Sequence, residues 1–189
     1  MKKGHPPVVL IIGPGGAGKS TAGALLAHRL GWLSVDLDNY FSINSGNISR
    51  FIGQHGYKRY AQQNVENYFA ISAALIEPSV LVLSSGFMTY PDNIDSRYSA
   101  IRAEIEAHPL TALLLPSFDL EKCVAIIVER QLQRTYLSGN KNSEEKRIRS
   151  RFPRFMSLRC NRFLSGAEPT QVALELERFV RLCQRQSDG

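Results

Sequence analysis

The sequence predicts a three-layer, doubly wound α/β fold, a parallel sheet of about five strands with helices on both faces and a basic lid. Three observations carry this reading. Short apolar runs alternate with stretches of helical periodicity along the chain. The first apolar run leads through a glycine-rich turn into a helix. Positive charge is crowded into one late segment rather than spread evenly. A length of 189 residues and a hydrophobic content of 43% fit one domain with a proper core.

Val8 to Ile12 is a continuous apolar run rich in β-branched residues, the pattern of a strand buried on both faces. Gly13 to Ser20 follows as a turn. Ser20 to Leu30 reads as a helix with Ala22, Leu25, Leu26 and Leu30 on one face, and Gly31 ends it. Leu33 to Leu37 is a second short strand, and Gly46 to Gly53 is loop and short helix. Tyr57 to Ile76 is a long helix closed by Pro78, and Val80 to Leu83 is a third strand. Ile94 to Ala107 is helical, Leu110 to Leu115 a fourth strand, and Ser117 to about Gln133 another helix. After a basic loop come a helix near Glu144 to Arg159, a short strand at Phe163-Leu164, and a last helix from Pro169 to about Cys183. Ligands of such sheets bind beyond the carboxyl ends of the strands. Gly13 to Ser20, Asp36 to Asp38, and Ser84 to Gly86 are therefore expected to face one cleft.

Gly13-Pro14-Gly15-Gly16-Ala17-Gly18-Lys19-Ser20 matches the pattern G-x-x-x-x-G-K-[ST] without a mismatch. Strand, loop and helix stand in the order that the pattern requires. Glycines let the backbone approach a polyphosphate closely and turn its N–H groups inward. The helix N-terminus adds its own attraction for anions. The loop predicts a P-loop NTPase fold that binds ATP or GTP. Gly13, Gly15, Gly16, Ala17, Gly18 and Thr21 belong to the cradle, Lys19 reaches the β- and γ-phosphates, and the Ser20 hydroxyl binds Mg²⁺.

Other classes of function lack their signals. Cys123, Cys160 and Cys183 are odd in number and have no metal-ligand spacing, so free thiols in a reducing, cytoplasmic setting are expected. The first residues do not read as a signal peptide, and no apolar run approaches the ~20 residues of a membrane span. The net charge of +6 admits a nucleic-acid surface, but no aromatic-basic recognition motif is present. Lys and Arg crowd the stretch from Arg130 to Arg162, opposed only by Glu144 and Glu145, and Gly139, Asn140 and Asn142 lie within it. That stretch reads as an arginine-bearing lid over about residues 133–147. Partners are then a nucleotide and a small-molecule acceptor, with a monomer or weak dimer as the expected state.

Asp36 and Asp38 lie two apart at the end of the second strand and would point the same way on an extended chain. Two carboxylates beside a phosphate loop suit two tasks, holding Mg²⁺ through water and accepting a proton from an attacking hydroxyl. Position alone equally allows solvated turn residues, or Asp38 capping the next helix. Arg134, Arg149, Arg151 and Arg154 could stabilise a transferring phosphoryl group, or form a solvated basic face.

From Val8 to about Phe179 the chain resembles shikimate kinase, a small P-loop kinase of the nucleoside-monophosphate-kinase fold. Asp36-Leu37-Asp38 resembles the family's Asp-x-Asp, which implies Asp36 for Mg²⁺ and Asp38 for the substrate hydroxyl. Ser84-Ser85-Gly86 falls where the family has three glycines at the acceptor. Arg134 to Gly139 resembles the lid pattern Arg-Pro-Leu-Leu-x-Gly, and Arg151 to Phe155 resembles Arg-x-Pro-x-Tyr, whose arginine grips the substrate carboxylate. Glu168-Pro169 falls where the family meets adenine, and Arg130 is placed with Pro169 on the nucleotide side.

The resemblance departs at two places: Ser84 and Ser85 stand where the family has glycines, and one helical stretch is rewritten. The family's Gly-Glu-x-x-Phe-Arg-x-x-Glu, whose arginine holds the shikimate carboxylate, is here Gly56 to Asn64, with Ala61 at the arginine position and Tyr57 and Asn64 at the glutamates. Arg59 or Lys58 is the candidate replacement. Losing a bidentate arginine–carboxylate contact changes what binds. The expectation is an ATP-dependent kinase of a small polar or anionic metabolite, with acceptor contacts from Asp38, Arg59, Ser84, Ser85, Gly86 and Arg151 and an acceptor region over about residues 39–76. True shikimate kinase, a non-catalytic nucleotide-binding protein and a nucleic-acid-end kinase stay open as alternatives.

Overall fold

The computed structural model describes residues 6–132 and 141–187. Five strands form one parallel sheet: β1 (Val8–Ile12), β2 (Leu33–Asp36), β3 (Ser79–Val82), β4 (Thr111–Leu115) and β5 (Asn161–Leu164), in the order β2-β3-β1-β4-β5. Among the described residues, seven α-helices accompany them: α1 (Lys19–Leu30), α2 (Leu37–Ser45), α3 (Ile48–Ala74), α4 (Tyr98–Ala107), α5 (Leu120–Leu132), α6 (Lys141–Ser157) and α7 (Pro169–Ser187). This is the doubly wound three-layer architecture expected from the alternation of elements.

The central strands show why apolar runs, rather than alternating ones, mark such a sheet. In β1, Leu10 and Ile12 enter one core while Val9 and Ile11 enter the other. In β4 the same division falls between Leu113 and Leu115 on one side and Ala112 and Leu114 on the other. Successive side chains point to opposite faces, and both faces are covered. The larger core lies under α3 to α6 and the smaller one under α1 and α7. In α1, a Cβ at Gly23 would meet the Val82 and Ile11 side chains, so a glycine there lets the helix lie close on the sheet.

Several boundaries differ from expectation. The second strand stops at Asp36 rather than Leu37, because the Asp36 carboxylate caps α2: its Oδ1 accepts the N–H groups of Asp38 at 2.9 Å and Asn39 at 3.1 Å. Asp38 is helical, so the shared direction expected of two residues on one extended strand does not apply, and the capping residue is Asp36 rather than Asp38. Helix α3 begins nine residues before Tyr57, at Ile48 under an Asn47 cap, and is interrupted at Gly56, whose φ of 79° breaks the helical path. Helix α4 starts at Tyr98 because a short 3₁₀ turn takes Asp92–Ile94. Helix α5 starts at Leu120, where Asp119 accepts the Lys122 N–H at 2.9 Å. Helix α6 runs from Lys141 to Ser157, β5 opens two residues early at Asn161, and α7 continues to Ser187.

Candidate active site

The turn after β1 carries the first half of the site. Gly13 has φ 142°, and a side chain there would collide with the Leu114 carbonyl of the neighbouring strand. Only glycine lets the loop leave the sheet at that point. Ala17 is fully buried and Gly18 enters α1 in the left-handed conformation. Lys19 is buried, and its Nζ donates to the Pro14 carbonyl at 3.0 Å, which places the ammonium inside the arch of the loop. Thr21 is exposed on the first turn of α1.

The second half arrives from β2. Ser20 Oγ donates to Asp36 Oδ2 at 2.6 Å, while the other Asp36 oxygen caps α2. One carboxylate therefore ties the phosphate loop to the helix that begins with Asp38. Among the described residues, no group of three or more His, Cys, Asp or Glu side chains is placed to hold a metal. A hydroxyl and one carboxylate at 2.6 Å instead fit a magnesium ion whose other ligands are water and phosphate oxygens.

Asp38 faces α3. Tyr60 Oη donates to Asp38 Oδ1 at 3.1 Å, and Tyr60 is only 7% exposed. Burial first, then the Asp38 charge, pushes the Tyr60 phenol well above its ordinary range. Tyr90 is fully buried and is pushed up for the same leading reason. Asn64 Nδ2 donates to its hydroxyl at 3.2 Å. The Tyr57 and Tyr60 rings lie 5.7 Å apart, and those of Tyr57 and Tyr90 lie 6.1 Å apart. Three phenols thus cluster beside Asp38.

The cationic residues divide sharply. Arg151 Nη2 donates to Tyr57 Oη at 2.8 Å. Arg151 also lines a narrow cleft with Pro14, Gly15, Ser85, Gln131 and Glu144, which brings it beside the phosphate loop. Arg149 is held by both oxygens of Glu121, at 2.6 and 2.7 Å, and by Glu145, and Arg154 donates to the Thr89 carbonyl at 3.0 Å. Neither is directed at the cleft. Arg130 Nη1 donates to the carbonyls of Gly16 at 3.3 Å and Ser165 at 3.2 Å, so it staples the loop to the turn after β5. Pro169 opens α7 just beyond that turn. Arg134 and most of the expected lid lie outside the described residues.

Arg59 is not brought to the cleft. Its guanidinium pairs with Glu66 at 3.0 Å and Gln63 at 3.1 Å on the exposed face of α3, opposite Tyr60, Ala61 and Asn64. The i, i+4, i+7 spacing of those partners keeps it on that face. Ala61 is wholly buried in the larger core. Ser84 is buried, Ser85 half-buried, and Gly86 is the closest floor of the site: a Cβ on it would collide with the Tyr57 hydroxyl and crowd Tyr90 and Arg151. Tyr57, Tyr60 and Tyr90 join this cluster with no local sequence signal for it, as does Glu144, which is buried in the cleft wall and paired with Arg147 at 2.6 Å. The aromatic spacing in α3 was visible, but the partners of those rings come from distant segments.

Fold and loop together define a nucleotide-binding P-loop fold of the kinase type. The family model for shikimate kinase matches residues 15–175, and the chain belongs to that family. The shikimate kinase of Thermobifida fusca (strain YX) is 27% identical over 172 residues, covering 90% of this chain and 92% of that one. A rat protein named probable gluconokinase is 57% identical over 37 residues, 20% of each chain. Among solved structures, Acinetobacter baumannii shikimate kinase in complex with shikimate superposes with a TM-score of 0.72 at 16% identity, covering 93% of both chains. A gluconokinase from Sinorhizobium meliloti 1021 gives 0.56 at 16%, covering 96% of each. At these identities the structural likeness speaks for the fold. No described helix is long and apolar enough to cross a membrane.

Proposed function

We propose that this protein is an ATP-dependent kinase that transfers the γ-phosphoryl group to a hydroxyl of a small polar or anionic metabolite other than shikimate. The observation that carries the reading is the 2.6 Å bond from Ser20 to Asp36, which sets the acid pair against the phosphate loop. A chain that only gripped nucleotide would need no second carboxylate aimed at the acceptor side.

The roles follow from position. Lys19 and the loop N–H groups of Gly13 to Gly18 hold the β- and γ-phosphates. Ser20 and Asp36 would hold Mg²⁺, which supplies charge neutralisation on the phosphates. Asp38 orients the acceptor hydroxyl and takes its proton as that oxygen bonds to the γ-phosphorus and ADP departs with the former bridging oxygen. Arg151 meets a polar or anionic part of the acceptor over Gly86, Ser84 and Ser85. Arg134 is assigned the charge of the phosphoryl group, within a lid over about residues 133–147, on the sequence resemblance alone. Thr21, Arg130 and Pro169 support the nucleotide side.

The acceptor differs from shikimate because the carboxylate-binding arginine has no equivalent on α3. Ala61 is core, Arg59 is turned to Glu66, and a phenol holds Arg151. A sugar acid offers one carboxylate and several hydroxyls, which suits a single arginine among phenols and serines. The gluconokinase likenesses agree with that class.

An ADP-release assay with shikimate, quinate, D-gluconate, simple sugars and nucleosides, with phosphorylated product confirmed by ³¹P NMR, tests the reading. Turnover of a non-shikimate hydroxy compound is expected, and full turnover of shikimate would overturn the acceptor assignment. A second reading, nucleotide binding without transfer, rests on Tyr57 filling the space between Gly86 and Arg151. ATP affinity with no product from a broad metabolite extract would favour it.

A further inference from the structure

We propose that Gln131 is a specificity-determining residue whose Oε1 accepts a hydrogen bond from a second hydroxyl of the acceptor, one that is not phosphorylated. The site would then select polyhydroxy compounds. The inference rests on the kinase reading above and adds a residue to its acceptor side.

Gln131 stands in the last turn of α5 and is only 8% exposed. Its Oε1 is wholly buried and has no hydrogen-bond partner among the described residues. An oxygen in that state has given up water and gained nothing in return, so folded chains keep few of them. Methionine or leucine would fill the same space beside Ile127 and Ile148 without that cost. An amide here needs a partner that comes from outside the chain.

The position of the amide identifies the partner. Ile127 and Gln131 lie one helical turn apart, and both pack on the phosphate loop. A Cβ on Gly15 would come within 2.7 Å of Gln131 Nε2 and 3.7 Å of the Ser85 Cβ, and one on Gly16 would come within 3.3 Å of Ile127. The amide therefore sits where the loop meets the turn after β3, on the border between nucleotide and acceptor. The cleft that it lines has about 20 Å³ of free space, which takes one water or one hydroxyl.

The charged side chains of that cleft are already engaged. Glu144 accepts from Arg147 at 2.6 Å, and Arg151 donates to Tyr57 Oη at 2.8 Å. A phosphoryl oxygen or a carboxylate only accepts, so neither can satisfy Oε1. The donors of the nucleotide, on its ribose and base, belong to the Arg130 and Pro169 side. A hydroxyl of the acceptor is the group that reaches this border and can donate.

The test compares wild type with Gln131→Met, which keeps the volume and removes the amide. D-gluconate, or whichever acceptor of the panel turns over, is assayed beside its monodeoxy analogues. With wild type, one analogue that keeps the phosphorylated hydroxyl is expected to lose about tenfold in kcat/KM. Gln131→Met is expected to lose about tenfold with the parent compound and nothing with that analogue, at unchanged KM for ATP. Equal losses for the parent and every analogue, as poorer packing on Gly15 would give, overturn the proposal. So does an acceptor that carries no second hydroxyl. Without ligands, the urea midpoint of Gln131→Met is expected at or above that of wild type, because no bond within the chain is lost. A clear drop would show the amide held by the fold itself and also overturns the proposal. Absence of transfer by wild type with every acceptor sinks the kinase reading and this inference with it, whereas failure of the Gln131 comparisons alone leaves that reading standing.

Discussion

Arg151 of α6 and Tyr57 of α3, 94 positions apart in the chain, meet through a 2.8 Å hydrogen bond directly over Gly86. The guanidinium lies 5.9 Å from the centre of the same ring. A cation that would otherwise face the cleft openly is thereby engaged by a neutral oxygen, which an acceptor oxygen can replace.

Tyr57→Phe removes that oxygen and leaves the ring. Arg151 then has no phenol to exchange for the acceptor, so KM for an anionic acceptor is expected to drop several-fold, by about one hydrogen bond's worth, with kcat nearly constant. Steady-state kinetics with D-gluconate and an uncharged sugar check this. An equal change for both acceptors would contradict it.

Arg151→Lys keeps the charge and loses the planar fork. If Arg151 binds a carboxylate, kcat/KM for that acceptor should fall by about 2 kcal/mol, or about thirtyfold, while ATP affinity measured by calorimetry holds. Loss of ATP affinity of the same size would move Arg151 to the nucleotide side.

Arg130→Met leaves the Gly16 and Ser165 carbonyls without their shared donor. The expected result is a loss of stability of about 1–3 kcal/mol in urea unfolding together with weaker ATP binding, because the loop loses its tether to the turn after β5. Weaker binding at undiminished stability would show that Arg130 touches nucleotide rather than backbone.

His108 provides the pH dependence. Burial holds its imidazole below the ordinary histidine range, and its Nδ1 accepts the Leu110 N–H at 3.2 Å, which a protonated ring cannot do. The unfolded chain therefore binds a proton at a higher pH than the folded one. Stability is expected to fall as pH drops through about 6.5 and toward the depressed folded value, and His108→Gln should flatten that slope. A slope unchanged in the variant would assign it elsewhere.

Much of this was legible in the sequence, and for a stated reason. Strands β1, β3 and β4 are buried on both faces, so their apolar runs stand out, and the phosphate loop depends on a local pattern of glycines around one lysine. The acid pair was legible as a pair but not as a geometry. Asp36 ends β2 and its side chain caps α2, so the pleat rule stops applying after that residue. The aromatic cluster beside Asp38 was the least legible part. Ala61, Tyr57 and Tyr60 show as departures from a pattern, yet what they touch is set by α6 and the turn after β3, which no local spacing encodes. Arg59 is the converse case: its partners Gln63 and Glu66 lie on its own helix, and that spacing was there to read.

Asp38→Asn in a single-turnover reaction, with ATP affinity measured on the same preparation, tests the central claim most directly. The acid beside the cradle is expected to be needed for transfer and not for nucleotide, so the rate should fall about a hundredfold or more while ATP binds as before. A transfer rate equal to that of the unaltered protein would contradict the account.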